Sequence, residues 1–195
     1  MKENNDFLIL SHARHYFGRN RNNPADKGTD ILIKGINLLV RKFPDKKIKL
    51  ITFEYGPHVK KTKKLVNLNN LENTVIFLPL IERKELAIYL KNVDIVCGQF
   101  GHNSNFINGV VSEALSFAKP IITSRDDKIH KYEYKKLFEV IQANTPQEIC
   151  KQLSYYILNK NKLVELGLEG FFWYKKNIVE KFVNHYVNFF KKLDI

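Results

Sequence analysis

Cysteine is nearly absent from the sequence, and long apolar runs are missing. The 195 residues include only two cysteines, Cys97 and Cys150, and each stands alone in an apolar context. This pattern excludes a disulfide framework and a zinc-ligand spacing, so we interpret both residues as small core side chains. The longest apolar stretches, such as residues 75–81, are far short of the roughly 20 residues that cross a bilayer. We therefore expect no membrane span.

Acidic residues are few relative to basic ones. The chain has 32 Lys and Arg against 20 Asp and Glu, which gives a formal net charge of +12. Such an excess fits nucleic acid, an anionic membrane surface or a phosphorylated substrate as a partner. The lysines are scattered and accompany abundant Asn and Ile, which also fits a plain compositional bias. The start of the chain does not resemble a signal peptide, so we expect a cytoplasmic location, with peripheral contact at the inner face of a membrane left open.

Short apolar runs alternate with helical patterns along the chain. Strands are predicted at residues 7–11, 48–53, 74–80, 93–97, 120–123 and 139–142, and helices at residues 27–43, 59–69, 83–91, 109–117 and from 146 onward. This alternation is typical of a parallel sheet covered on both faces. We predict an α/β fold in a single domain, residues 1–195. It is a doubly wound, Rossmann-like parallel sheet of about six strands over residues ~6–143, followed by a helical tail over residues ~145–195.

Two loops at the expected ligand edge of this sheet carry candidate binding residues. In the loop after the first strand, Arg14 and Lys27 supply positive charge beside a helix N-terminus, a combination that would hold a diphosphate. A solvated basic loop is the alternative. In the loop after the fourth strand, Asn108 can cap the next helix, whose dipole favours an anion. Glu113, inside that apolar helix, requires a partner such as a pair of sugar hydroxyls, unless it forms a structural salt bridge or is exposed.

Several short motifs occur in a fixed order along residues 7–124. They are Lys27-Gly28-Thr29-Asp30, Tyr55-Gly56-Pro57, Lys84-Glu85-Leu86, Gly109-Val110-Val111-Ser112-Glu113-Ala114-Leu115 and Lys119-Pro120. In this order and spacing, the chain resembles the C-terminal, nucleotide-sugar-binding half of a family 4 glycosyltransferase of the GT-B fold. The resemblance implies a nucleotide-diphosphate sugar as substrate and no bound metal or other cofactor.

The resemblance also implies roles for individual residues. Arg14 and Lys27 would bind the donor diphosphate, and Glu113 would accept hydrogen bonds from the ribose hydroxyls. The remaining donor-binding positions are the backbone around Asn108, Gly109 and Val110, and the base-flanking Leu80 and Ile81. The implied catalytic positions are Arg14, Lys27 and Asn105.

The sequence departs from the family pattern at several of these positions. Asn105 stands where the family has the first of two glutamates, a carboxylate that normally lies against the transferred sugar. Ala118 replaces a glycine, and residues 124–128, Ser-Arg-Asp-Asp-Lys, replace a glycine-rich segment. These differences imply either altered contacts with the donor sugar or poor transfer by this chain.

The length accommodates only one of the two halves of a GT-B enzyme. We expect the donor half of a retaining glycosyltransferase of the hexosyltransferase type. It is either a piece of a longer enzyme, which we favour, or a subunit that pairs with a separate acceptor-binding protein. The alternative function is a non-catalytic basic module that binds nucleic acid or an anionic membrane. Nucleic acid is disfavoured because no recognition motif is present.

The histidines and the aromatic tail receive structural interpretations. We expect His12, His15, His102 and His130, all in predicted loops, to be solvated, with contact to a phosphate as the alternative. The aromatic stripe around His185 in the tail is interpreted as packing, with an interface for the absent half as the alternative.

Overall fold

Six parallel strands form one sheet in the order β3-β2-β1-β4-β5-β6. A computed structural model describes residues 4–18, 23, 25–101, 107–130 and 134–193. The strands are β1 (Phe7–Ser11), β2 (Ile48–Phe53), β3 (Val75–Leu78), β4 (Ile95–Cys97), β5 (Ile121–Thr123) and β6 (Ile141–Gln142). Each neighbouring pair is parallel, from Phe7 opposite Ile48 at one end of β1 to Thr123 opposite Gln142 at the β6 edge. The doubly wound parallel sheet is confirmed.

Helices cover both faces of the sheet. They are α1 (Thr29–Lys42), α2 (Val59–Leu68), α3 (Arg83–Asn92), α4 (Gly109–Ser116), α5 (Asp127–His130), α6 (Pro146–Leu158), α7 (Lys160–Tyr174) and α8 (Glu180–Lys191), with a π-helical segment, Lys175–Val179, between the last two. One core cluster joins the sheet to α1, α2 and α6, and a second joins it to α3 and α4. None of the helices in the described part of the chain is long and apolar enough to cross a membrane.

The central strand β1 shows why the strands of the sheet could be predicted from the sequence. Successive strand side chains point to opposite faces, and both faces here are covered. Phe7 and Ile9 therefore belong to one core cluster, and Leu8 and Leu10 belong to the other. All four are fully buried. A continuous apolar run is what such a strand requires.

Both cysteines pack as predicted. Cys97 is buried at the end of β4, and burial raises the pKa of its thiol, so it is a neutral core side chain. Cys150, on α6, is half-buried against the same cluster as Cys97.

The tail divides into a packed part and an exposed part. Trp173, on α7, packs against Phe138 and Tyr134 with ring centroids 5.0 and 4.9 Å away. By contrast, α8 has no buried residue, and Phe182 is 63% exposed. The prediction that the stripe around His185 is internal packing is therefore wrong, because this helix extends away from the two core clusters.

Candidate functional site

The crevice at the carboxyl edge of the sheet forms where the strand order reverses. β1 and β4 are neighbours at the centre of the sheet, and the chain leaves them toward opposite sides. Loops that diverge from such a pair leave the crevice in which doubly wound sheets bind ligands. The described residues that follow β1 (12–18 and 25–28) and those that follow β4 (98–101, 107 and 108) belong to the two loops singled out in the sequence, and they border this crevice.

Two histidines fix the loop that carries Arg14. The Nε2 atom of His15 lies 2.9 Å from the Phe53 carbonyl oxygen and 3.1 Å from Thr52 Oγ1. Burial lowers the pKa of His15, although the hydrogen bond to Phe53 opposes this effect. The backbone N–H of Phe17 donates to His58 Nδ1 over 3.1 Å. The loops after β1 and β2 thus form one unit, and the expectation that His15 is solvated is wrong.

Lys27 is held between two loops. Its backbone N–H donates to the Tyr16 carbonyl oxygen over 2.8 Å, and its own carbonyl oxygen accepts from Phe100 N over 3.2 Å. Gly28 follows with φ of +62°, and a Cβ there would lie 2.3 Å from the Phe100 carbonyl oxygen. Only glycine fits this left-handed, crowded position. The Lys-Gly pair therefore lets the loop after β4 pass close to the start of α1.

Arg14 and Lys27 lie close enough for their charges to interact. Lys27 is half-buried, and its pKa is lowered first by burial and then by the positive charge of Arg14, while Asp26 opposes the shift. Two cations held together at the edge of a crevice repel each other, and a bound anion would relieve that repulsion. Arg14 and Lys27 thus place two positive charges at the edge of the crevice.

Glu113 already has two partners. The N-cap Asn108 begins α4, and its Oδ1 accepts from Val111 N over 3.1 Å. The carboxylate of Glu113 faces back toward the crevice, where Oε2 lies 3.0 Å from His12 Nε2 and Oε1 lies 3.2 Å from Arg83 Nε. The His12 side chain is only 6% exposed, so the expectation that this histidine is solvated is also wrong.

The two partners keep Glu113 ionised. The hydrogen bond from His12 is the largest cause that lowers the pKa of Glu113, and the charges of His12 and Arg83 add to it, while burial opposes them. Arg83 is 87% exposed, so solvent screens its attraction and a ligand can displace it. Glu113 is thus a charged acceptor with one internal partner and one replaceable partner.

The other predicted site residues differ in their exposure. Leu80 is exposed and Ile81 is half-buried just beyond β3, while Gly109 is exposed and Val110 is half-buried at the start of α4. Asn105 and His102 lie outside the described residues. His12 and Arg83 were missed as site residues, although the position of His12, directly after β1 and two residues before Arg14, was an available signal.

The segment after β5 is internally paired. The Nε atom of Arg125 lies 2.5 Å from Asp127 Oδ1, and its guanidinium lies 4.7 Å from the centre of the Phe138 ring. Within the segment that replaces the expected glycine-rich one, Arg125 and Asp127 therefore form an ion pair with each other.

One cavity of the molecule lies apart from the charged residues of the crevice. A cavity of about 820 Å³ lies between residues 134–139 and the end of α7, and none of Arg14, Lys27 and Glu113 lines it. We take the crevice as the chemical site because the charged side chains converge there. No group of three or more His, Cys, Asp or Glu side chains among the described residues could hold a metal ion.

Comparisons with known proteins agree with this fold. A glycosyltransferase of Haemophilus influenzae, itself described as uncharacterized, is 25% identical over 167 residues, or 85% of this chain and 43% of that protein. Anabaena HepE, solved with UDP, has a TM-score of 0.72 at 16% identity over 96% of this chain and 49% of HepE. The C-terminal domain of LpcC, from Francisella tularensis, has a TM-score of 0.66 at 16% identity over 87% of this chain and 85% of that domain.

These similarities have different extents. The chain spans less than half the length of the Haemophilus protein. The structures of HepE and of the LpcC domain share the fold of this chain. Residues 19–170 match the family described as glycosyl transferases group 1. That match covers most of the sequence, and the chain therefore belongs to the group 1 glycosyl transferase family.

Proposed function

We propose that this chain is the donor-binding part of a retaining glycosyltransferase of family 4, and that it binds a nucleoside diphosphate sugar in the crevice between β1 and β4. The observation that carries the proposal is the convergence of Arg14, Lys27 and Glu113 at one edge of the sheet, in a chain of the group 1 family. Two cations and a carboxylate match a diphosphate and a ribose, respectively.

The diphosphate would lie between the two cations and the start of α4. Arg14 and Lys27 supply charge, and free backbone N–H groups at a helix N-terminus supply donors. None of the described residues has an atom within 4 Å of the position that a Cβ of Gly109 would occupy, so they leave room for a ligand to approach the backbone there. The same groups would stabilise the negative charge that develops on the leaving diphosphate when the glycosidic bond breaks.

The nucleoside would extend from the diphosphate toward β3. Glu113 would accept hydrogen bonds from the ribose hydroxyls in place of the exposed Arg83. Leu80 and Ile81, beyond β3, would flank the base, and Asn105 would face the transferred hexose. We propose UDP as the first nucleotide to test because HepE, which shares this fold, was solved with it. No bound metal is needed in this account, since the cations of the chain neutralise the diphosphate.

The acceptor would be bound by a second half that this chain does not contain. The chain spans 43% of the Haemophilus relative. The exposed apolar side chains of α8, which include Phe182, Tyr186 and Phe190, form a surface that such a half would cover. This half is either another part of the same protein or a separate subunit.

A thermal-shift panel of UDP, GDP and ADP, with their sugars, tests the donor role. A ligand that binds only the native state raises the melting temperature. We expect one nucleotide to stabilise the chain, and Arg14→Ala and Lys27→Ala to abolish most of that shift. Arg41→Ala and Lys151→Ala, at exposed positions far along the sequence from the crevice loops, are matched controls.

The same panel separates the proposal from the alternative function. A basic module that binds polyanions would respond to a polynucleotide or to anionic vesicles with strong salt dependence. Stabilisation by a polynucleotide at physiological ionic strength, with no response to any of the three nucleotides, would contradict the donor role.

A further inference from the structure

His12 has a role that the diphosphate and ribose contacts leave unexplained. Its Nε2 lies 3.0 Å from Glu113 Oε2, although the two residues are 101 positions apart in the sequence. Its Nδ1 is buried and has no hydrogen-bond partner in the part of the chain that the structure describes. Among the described residues, the ring of His12 therefore hydrogen-bonds only to the carboxylate of Glu113.

The direction of this hydrogen bond follows from the chemistry of the pair. An ionised carboxylate only accepts, so His12 must donate through Nε2–H. The other ring nitrogen, Nδ1, makes no hydrogen bond to a described residue. His12 is only 6% exposed, so it cannot readily contact a ligand itself and would act through Glu113.

The two carboxylate oxygens differ in how they are held. Oε2 is paired with the buried His12, whereas Oε1 is paired with Arg83, which is 87% exposed. A ligand can replace Arg83 but not His12. A glutamate that is free to rotate would lose conformational entropy when it binds a ligand, and a fixed carboxylate avoids part of that cost.

We propose that His12 is a positioning residue that locks Glu113 so that its outer oxygen is presented to the ribose hydroxyls. This inference rests on the proposed function, because it assumes that Glu113 binds ribose. The competing role for the pair is a structural brace between the end of β1 and α4. A brace would stabilise the fold without distinguishing one nucleotide from another.

Calorimetric titration with UDP and with 2′,3′-dideoxy-UDP, which lacks both ribose hydroxyls, separates these roles. GDP and ADP with their dideoxy analogues form parallel arms. The wild-type chain should bind the natural nucleotide about 10- to 100-fold more tightly than its analogue, the scale of hydrogen bonds to a charged group. His12→Ala should reduce this ratio by about tenfold, with little change for the analogue.

Two further variants complete the design. His12→Gln, whose amide can still donate to Glu113, should recover part of the ratio, and it replaces His12→Ala if that variant does not fold. His185→Ala, on the exposed α8, is the matched histidine control and should keep the wild-type ratio.

The outcomes separate the two proposals. A wild-type chain that does not distinguish the nucleotide from its dideoxy analogue would overturn the ribose role of Glu113, and with it the donor geometry. A wild-type chain that distinguishes them, with His12→Ala retaining the full ratio or weakening both ligands equally, would overturn only the positioning role of His12.

Discussion

Replacing Glu113 with alanine removes an acceptor from a buried donor and, in our proposal, from the ribose. In the free protein, the Nε2–H of His12 would lose its partner while remaining buried. An unsatisfied buried donor costs about 1–3 kcal/mol, so the free energy of unfolding should fall by that amount. The loss is separate from any effect on ligand binding, and urea unfolding measures it.

The effect of the same substitution on binding follows from the charge of the carboxylate. Hydrogen bonds to a charged group contribute about 1.5–3 kcal/mol, which corresponds to about 10- to 150-fold weaker nucleotide binding. Isothermal titration calorimetry with UDP, GDP and ADP measures this loss, and Glu113→Gln should be intermediate because it keeps an acceptor oxygen. Glu72→Ala, at an exposed position, controls for loss of a carboxylate. An unchanged affinity in Glu113→Ala would refute the assignment of this residue to the ribose.

Three further substitutions test a charged residue of the candidate site and two residues that hold its loops in place. Lys27→Ala should weaken nucleotide binding about 10- to 100-fold in calorimetry and flatten its salt dependence, whereas an unchanged affinity would remove Lys27 from the diphosphate. Gly28→Ala should lower the free energy of unfolding by about 2–3 kcal/mol in urea, because its Cβ would meet the Phe100 carbonyl oxygen at a positive φ. Gly109→Ala, whose Cβ would meet no atom of the described residues within 4 Å, is the control, and equal stability of the two variants would count against this packing. Burial lowers the native pKa of His15 below its ordinary 6.5, so the unfolded chain binds more protons and stability should fall as pH drops below about 6.5; His15→Gln should lose that part of the pH dependence, and an identical profile in both proteins would be inconsistent with a buried neutral ring.

The strands were predictable because both faces of the sheet are covered. The first four residues of β1, Phe7 to Leu10, form an uninterrupted apolar run, and β2 is apolar except at Lys49 and Thr52. The boundaries were less exact near the sheet edges, where β6 is only two residues long. The first helix begins at Thr29 instead of Lys27, because Gly28 adopts a left-handed conformation that ends the preceding loop.

The strand ends near the candidate site residues were predictable from the sequence. The side chains that pair with those residues were not. Arg14, Lys27 and Glu113 were expected at one edge because they follow or begin elements that meet there. The pairing of His12 with Glu113 joins residues 101 positions apart, and neither periodicity nor composition carries that information. For the same reason, the sequence could not separate the buried histidines from solvated ones.

Helix α8 shows a different limit of prediction from the sequence. The pattern of α8 correctly indicates one apolar face, but a pattern does not say what covers that face. Phe182 and Phe190 are 63% and 48% exposed, so the face is outward in this chain. The spacing of these residues does not encode what covers the face.

A crystal structure of the chain with UDP bound tests the central claim most directly. We predict density in the crevice between β1 and β4, with the diphosphate between Arg14 and Lys27, the ribose hydroxyls on Glu113, and Arg83 displaced from its present position. An empty crevice at saturating UDP, or a nucleotide whose diphosphate lies away from both cations, would contradict the account.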